Sequence, residues 1–191
     1  MTLQDTQRAL VGDWTSLAPE VRPSAAKNPD GTLRPFYLSR AFSYLGDDRF
    51  ALTIRNWADP LGKVEIARIV LRGHIGWPGP HPVADGAQKA DFVADEAYEL
   101  TPMAQGFADL LNQVATLEGG PWTVGQGRSV LGRRFVPFGL VEGQPFKEYD
   151  LIHLDGDFLF WGARHIDGRG FDSEDNRPTN LQIPMRRVAG A

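Results

Sequence analysis

The fold is decided by the segment Tyr37-Leu38-Ser39-Arg40-Ala41-Phe42-Ser43-Tyr44, which is followed by Gly46-Asp47-Asp48 and by the run Arg49–Trp57. In the first run large apolar residues recur at alternate positions, which is typical of a strand with one buried face. Gly and Asp between two such runs favour a tight turn with positive φ, so the pair is predicted to form an antiparallel hairpin. Asp155-Gly156-Asp157 predicts a second hairpin later in the chain.

Short apolar runs rich in β-branched and aromatic residues recur along the whole chain, separated by turn-forming clusters. The predicted strands are Leu10–Ser16, Tyr37–Tyr44, Arg49–Trp57, Glu65–Trp77, Lys89–Leu100, Pro121–Val130, Gly139–Val141, Lys147–Leu154, Phe158–Arg164 and Leu181–Arg187. This spacing predicts a mostly β fold, an antiparallel lipocalin-like (calycin-type) β-barrel formed by residues 1–191 as a single domain. The loops Pro23–Pro35, Trp77–Gly86 and Gly168–Asn180 are expected at its rims.

One segment has a helical period instead. Thr101-Pro102 offers a capping hydroxyl and a first-turn proline, and Gly119-Gly120 offers a stop. Between them, apolar residues recur at helical spacing: Phe107, Leu110, Leu111, Val114 and Leu117. One amphipathic helix is therefore predicted over about residues 102–117, after the fifth strand, lying across a barrel mouth or against its outer wall.

The composition excludes several classes of protein. The 20 basic and 24 acidic residues are interspersed and give a net charge of −4, so nucleic acid is not an expected partner. The absence of cysteine excludes disulfides, thiolate nucleophiles and cysteine-rich metal sites. Met1–Arg8 lacks the apolar core of a signal peptide and no run is long enough to span a bilayer, which predicts a cytoplasmic protein without a membrane span.

Motifs for metal or cofactor binding are also missing. The histidines His74, His81, His153 and His165 show no metal-ligand spacing. No nucleophile elbow, phosphate-binding loop or dinucleotide fingerprint occurs. We therefore expect neither a metal nor a cofactor.

Two features of the first half carry structural information. Gly12-Asp13-Trp14 has the Gly-x-Trp form found in lipocalin-like barrels, where the indole seals one end; the alternative is that Trp14 is simply a core aromatic residue. Alternation places Arg40 on the apolar face of its strand, and Glu20 is the predicted partner of both Arg22 and Arg40. This group forms a structural salt bridge or leaves one guanidinium to hold a ligand carboxylate or phosphate. Arg177 is a candidate third member.

An apolar cavity is predicted from the aromatic residues. Phe92, Glu96 and Tyr98 share the strand face that is expected to point inward, while Trp57 and Trp77 end their strands where a mouth is expected. The candidate ligand-binding residues are Arg22, Arg40, Phe42, Tyr44, Trp57, Trp77, Phe92, Glu96, Tyr98, Tyr149 and Phe160. Trp14, Glu20 and Arg177 are the candidate structural residues.

Ten short sequence motifs follow one another along nearly the whole chain. They are Gly12-Asp13-Trp14-Thr15-Ser16, Glu20-Val21-Arg22-Pro23, Leu38-Ser39-Arg40, Ala58-Asp59-Pro60, Arg72-Gly73, Leu100-Thr101-Pro102-Met103, Trp122-Thr123-Val124-Gly125, Glu148-Tyr149-Asp150-Leu151, Asp175-Asn176-Arg177-Pro178 and Leu181-Gln182-Ile183-Pro184-Met185. As a set they resemble the adenomatosis polyposis coli down-regulated domain family, whose animal members are secreted Wnt inhibitors with paired barrel domains. The resemblance implies one closed barrel with a hydrophobic pocket, which in the animal proteins is thought to receive the acyl group of Wnt. The family's cysteines are replaced at Pro19 and near Gly62.

The leading functional hypothesis is the binding of a hydrophobic or amphipathic small molecule, of lipid or fatty-acyl type, in a barrel cavity. The alternative is a cofactor-free enzyme, a cyclase or isomerase, in which Glu96, Tyr98 and Arg40 perform acid-base chemistry. A structural or protein-interaction module is the third possibility. These hypotheses differ in whether the polar residues converge in a cavity or are all paired with one another.

Overall fold

The computed structural model describes residues 1–115 and 119–189, and within them the chain forms two α-helices and ten β-strands. In chain order they are α1 (Leu3–Leu10), β1 (Gly12–Ser16), β2 (Glu20–Lys27), β3 (Leu33–Tyr44), β4 (Arg49–Trp57), β5 (Glu65–Pro80), β6 (Gln88–Pro102), α2 (Gln105–Val114), β7 (Arg128–Ser129), β8 (Phe146–Asp155), β9 (Phe158–Trp161) and β10 (Met185–Arg187). Single 3-10 turns occur at Val136–Phe138 and Glu174–Asn176.

The strands form one antiparallel sheet in the order β1-β10-β9-β8-β6-β5-β4-β3-β2, with β7 paired to β6. β1 also pairs with β3, where Trp14 lies opposite Phe42, so the pairings return on themselves in a ring. This ring is uneven, because β9 and β10 meet only through Met185↔Leu159 and Arg186↔Phe158, whereas β4 pairs with β5 from Arg49↔His74 to Trp57↔Glu65. The prediction of a mostly β, antiparallel fold is confirmed.

The predicted hairpins form as the turn residues require. Asp47 and Asp48 both adopt positive φ (59° and 57°) between β3 and β4, and Gly156 has φ 56° between β8 and β9. Consecutive residues with positive φ match the twist of the flanking strands, which is why short polar residues and glycine are placed there.

Large apolar side chains fill one side of the sheet, which we call the inner face. Alternation places Leu38, Arg40, Phe42 and Tyr44 of β3 on this face, as predicted. The main buried cluster contains Phe42, Tyr44, Phe50, Leu52, Ile69, Leu71, Phe92, Tyr98, Ile152, Leu159 and Trp161. These residues come from six strands, so the core depends on long-range pairing.

Helix α1 was not predicted, although the sequence contains its start signal. Thr2 and Asp5 form a capping box in which each side chain accepts a hydrogen bond from the other residue's backbone N–H. The helix ends at Leu10, whose carbonyl accepts a hydrogen bond of 2.8 Å from Trp14 Nε1. Trp14 is fully buried, and the guanidinium of Arg187 lies 4.2 Å from its ring centroid while donating to the carbonyls of Ala9 and Val11. Trp14 is thus fixed between α1 and β10.

Several predicted boundaries were wrong. Thr101 and Pro102 end β6 and do not cap the helix, which starts at Gln105; Leu117 lies outside the described residues. Of the predicted strand Pro121–Val130 only Arg128–Ser129 pairs, and Gly139–Val141 follows a 3-10 turn with a single bridge between Phe135 and Leu140. The predicted loop Pro23–Pro35 instead contains parts of β2 and β3, which pair with each other.

Strand β6 contains an irregularity that changes the exposure of its central residues. Arg72 pairs with Ala97 and His74 with Val93, so Gly73 alone lies opposite Ala94, Asp95 and Glu96. A Cβ on Gly73 would lie 1.9 Å from the carbonyl oxygen of Val93, which only glycine avoids. At the bulge β6 has two more residues than β5. Two is an even number, so the alternation of inner and outer positions is unchanged beyond the bulge and Tyr98 lies on the inner face.

Candidate functional site

The aromatic residues predicted to line a cavity pack against one another. Ring centroids lie 4.2 Å apart for Phe42 and Trp161, 5.1 Å for Phe92 and Trp161, and 5.2 Å for Phe50 and Phe92. The void among them is about 10 Å³, the space of roughly one water molecule. Phe42, Tyr44 and Phe92 therefore do meet on the inner face, but this part of it is filled by side chains.

A charged group lies at the edge of these aromatic rings. Glu20 accepts hydrogen bonds from Arg22 Nη2 at 2.8 Å and from Arg40 Nη1, as the spacing predicted. The three side chains are between 13% and 18% exposed, so this is a largely buried bridge that joins β2 to β3. Arg40 also lies 5.6 Å from the ring centroid of Trp161. Burial lowers the pKa of both arginines, and the negative charges of Glu148 and Asp150 oppose that shift.

Glu148 of β8 faces the same side, although it is not among the residues that the sequence pattern predicted for a site. It is half-buried, and no hydrogen bond or ion pair reaches it from the part of the chain that the structure describes. Enough protein surrounds its carboxyl that burial raises its pKa, while Arg40, Arg164 and Arg22 act in the opposite direction. A half-buried carboxyl group on which three arginines act, without a hydrogen bond or ion pair to any of the described residues, is a candidate functional group.

Asp150 lies two residues further along β8 and is almost completely buried. Its Oδ1 accepts hydrogen bonds from the backbone N–H groups of Leu151 at 2.7 Å and Gly162 at 2.9 Å. Burial first, and then the charge of Glu148, raise the pKa of Asp150 to about 8. The carboxyl is therefore largely protonated at neutral pH.

Two buried donors complete the group. Tyr44 Oη and Trp161 Nε1 are buried and neither makes a hydrogen bond within the described residues. The indole N–H of Trp161 lies near the hydroxyl group of Tyr44, but their distance and angle are not those of a hydrogen bond. Burial raises the pKa of Tyr44, and the nearby N–H offsets part of that increase. Buried polar atoms without partners are uncommon and call for a partner such as a water or a ligand.

A cavity of about 480 Å³ opens beside Glu148. Its walls come from the segment before β8 and from the loop after β9, and they combine apolar side chains with a few polar ones. The lining residues include Phe138, Leu140, Val141, Phe146, Glu148, Arg164 and Gly170. Phe146 and Glu148 also line the small inner void, so they separate the cavity from the aromatic core.

Glu96 is not on the inner face, which corrects the sequence prediction. The bulge in β6 exposes it, and it forms a two-pronged ion pair with Arg49 at 3.0 and 2.9 Å on the surface. Arg49 lowers the pKa of Glu96. The acid-base trio of Glu96, Tyr98 and Arg40 therefore does not assemble, although Tyr98 is buried and stacks on Phe138 at 6.2 Å.

Three other aromatic candidates lie on the outer face of the sheet. Tyr149 lies between Lys147 and Arg177, whose charged groups are 4.2 and 5.5 Å from its ring. Phe160 packs on His153 at 5.9 Å. Trp57 donates from Nε1 to Ser39 Oγ at 2.9 Å. The segment Phe158–Trp161 is apolar on both sides, so alternation alone did not distinguish its faces.

Trp77 and Arg177 also lie away from the cavity. Trp77 donates to Asp48 Oδ1 at 2.8 Å beside α1, at a separate recess of about 60 Å³. Arg177 was a candidate partner of Glu20, but it lies elsewhere. It is buried on the outer face, where it donates hydrogen bonds to Asp91 at 2.6 Å, to Glu174 and to the carbonyl of Asp150. Its role is to hold the loop before β10 against β6 and β8.

Comparison with protein-family models and with curated proteins gives no match for this chain. Among the described residues no group of His, Asp and Glu is arranged to hold a metal ion. No helix in the described ranges is both long and apolar enough to cross a bilayer.

Proposed function

We propose that this protein binds a small amphipathic molecule, of lipid or fatty-acyl type, in the cavity beside Glu148. The observation that carries the proposal is the carboxyl of Glu148, which has no partner within the described residues and faces a cavity of about 480 Å³. That volume lies within the range of small-molecule sites, about 300 to 1,000 Å³. Apolar contacts from Phe138, Leu140 and Phe146 would receive the ligand's chain.

The scaffold that we propose is a lipocalin-like barrel. The return of the pairings through β1 supports it, as does Trp14 sealed between α1 and Arg187.

The proposed site differs from the one expected of an open barrel. The inner face around Phe42 and Phe92 is filled, so the ligand is placed in the cavity between the segment before β8 and the loop after β9. Phe146 and Glu148 form its floor. An acyl chain longer than the cavity would have to displace Phe146. We therefore expect the affinity for acyl ligands to rise with chain length and then to level off.

Filling the cavity tests the proposal. Gly170 lines it and has open space where a Cβ would stand, so Gly170→Trp adds bulk there without backbone strain. We expect this variant to weaken the binding of a hydrophobic fluorescent dye, and of the decanoic acid that displaces it, by about tenfold or more. Gly106→Trp, on the exposed side of α2 with equal space, is the matched control. Equal dye binding by Gly170→Trp and the parent would refute the assignment to this cavity.

A second candidate function is acid-base catalysis, favoured by the raised pKa of Glu148 at the cavity floor. In this function Glu148, and not Glu96, would be the acid-base residue. Native mass spectrometry of freshly purified protein identifies a retained molecule, which is then incubated with the parent and with Glu148→Gln. Conversion by the parent alone, at unchanged binding, would establish an enzyme; an unchanged molecule in both would leave binding as the function.

A further inference from the structure

The polar contacts available in the cavity indicate the chemical class of the ligand's head group; this inference rests on the binding function proposed above. Glu148 is the only carboxyl of the inner-face cluster without a hydrogen bond among the described residues. An acceptor without a donor requires a head group that can donate a hydrogen bond. An amine, an alcohol and a protonated carboxylic acid all meet this requirement.

The surrounding charges distinguish among them. The charged and titratable groups around Glu148 come from several strands and from the loop after β9, and most are basic or neutral at pH 7. They are Arg22 and Glu20 of β2, Arg40 of β3, Tyr98 of β6, Asp150 of β8 and Arg164 after β9. Lys147 and Asp172 line the cavity further out, and Lys147 is paired with Asp91.

The charges of this group do not balance without Glu148. Among the described residues, Glu20 is the carboxylate that Arg22 and Arg40 share, and Arg164 donates to the carbonyl of Gly168 at 2.8 Å. With Asp150 largely protonated, three guanidinium groups face one ionised carboxylate plus Glu148. A cationic amine at Glu148 would therefore meet net positive surroundings, which disfavours it. An alcohol would satisfy Glu148 but would add no negative charge.

We propose that the ligand's polar end is a carboxyl group, which binds by sharing one proton with Glu148 and by accepting hydrogen bonds from Arg164. Both side chains line the same cavity. Within the described ranges Glu148 makes no hydrogen bond, and Arg164 uses Nη2 for the carbonyl of Gly168, which leaves its other N–H groups for a ligand. The shared proton removes the repulsion between two carboxylates, and the remaining negative charge faces the arginines. No covalent bond changes, and the proton is taken up from solvent.

The experiment is isothermal titration calorimetry of the whole chain with decanoic acid, decanol and decylamine, each below its aggregation concentration. Titrations at several pH values from about 5 to 8, in buffers of different ionisation enthalpy, give the affinity and the number of protons taken up. We expect the acid to bind more tightly than the alcohol, and the amine to bind weakest. We expect proton uptake for the acid to rise toward about one, with affinity falling by up to about tenfold per pH unit.

Glu148→Gln is the decisive variant, because the amide still offers a donor and an acceptor but no titrating carboxyl. It should bind the acid with no proton uptake attributable to residue 148 and with little pH dependence. Glu142→Gln, an exposed carboxylate of the same region that does not line the cavity, is the matched control and should behave as the parent. If Glu148→Gln does not fold, proton uptake by the parent still decides.

The possible failures are distinct. Binding of none of the three compounds would overturn the proposed binding function itself. Binding of alcohol or amine as tight as that of the acid, or acid binding without proton uptake at any pH, would overturn the carboxyl assignment alone. Unchanged proton uptake in Glu148→Gln would equally overturn it, by assigning the shared proton to another group.

Discussion

Replacing Glu20 by Gln removes one negative charge from the bridge between β2 and β3 while leaving its volume nearly unchanged. In the parent, Arg22 and Arg40 both donate to this carboxylate. In the variant two guanidinium groups, each less than 15% exposed as side chains, would face a neutral amide that offers a single acceptor oxygen. The variant is therefore expected to be less stable.

The expected loss follows from the burial of this group. Removing one member of a buried ion pair costs about 3 to 5 kcal/mol. Two facts reduce that figure: Glu20 keeps 18% of its side chain exposed, and Glu148 lies close enough to act on both arginines. We expect a loss of about 2 to 4 kcal/mol in the free energy of unfolding, or about 5 to 15 °C in Tm for a chain of this length.

Urea denaturation at pH 7, followed by tryptophan fluorescence, measures the change, with Glu142→Gln as the exposed control. A double-mutant cycle with Arg40→Met isolates the Glu20–Arg40 coupling, expected at about 1 to 3 kcal/mol. A loss below about 0.5 kcal/mol would show that the bridge behaves as an exposed surface pair. The account of the buried charge cluster would then be wrong.

Three further predictions concern other parts of the fold. Trp14→Ala should lower the free energy of unfolding by about 3 to 5 kcal/mol, because it empties a fully buried site under Arg187; an unchanged urea midpoint would contradict this. Gly73→Ala should cost about 3 kcal/mol or more, because its Cβ would meet a backbone oxygen at 1.9 Å, whereas Gly76→Ala, with its nearest contact at 3.5 Å, should be nearly neutral; equal melting temperatures would exclude the clash. Asp150 has its pKa raised to about 8 by burial, so the folded state holds a proton that the unfolded state has lost, and parental stability should fall as pH rises from about 4 to 8. Asp150→Asn keeps the acceptor for Leu151 and Gly162 and should gain relative to the parent over that range; parallel pH curves would refute the shift.

Local patterns predicted the first half of the sheet well, because each of its faces has one clear environment. From Leu38 to Tyr44 the large apolar residues of β3 stand at alternate positions, so the inward positions of Leu38, Arg40 and Phe42 follow from period two, and Arg40 in turn predicted its partner Glu20. Turns with consecutive Asp or Asp-Gly residues then set the register of the hairpins.

The second half was harder to predict for physical reasons. Strand β8 is covered on both sides, because the loop held by Arg177 packs on its outer face, and so both of its alternating sets contain large apolar residues. Tyr149 was chosen instead of Glu148, although Glu148 shares its face with the fully buried Ile152. Glu96 was misplaced because a bulge is a property of paired strands: it depends on Gly73, which lies on the neighbouring strand.

The energetics of the inner-face charges favour a functional explanation. A buried group of ion pairs is a weak source of stability, because well-packed apolar residues of similar volume stabilise a core at least as well. Glu20 has a structural reason to be present, since it joins Arg22 and Arg40, and Asp150 is held by two backbone N–H groups. Glu148 has neither kind of partner within the described residues, and the charges of Arg40, Arg164 and Arg22 offset only part of its desolvation in the free protein. A ligand that supplies the missing hydrogen bond would recover that free energy on binding, so the same residue that weakens the empty fold would strengthen the complex.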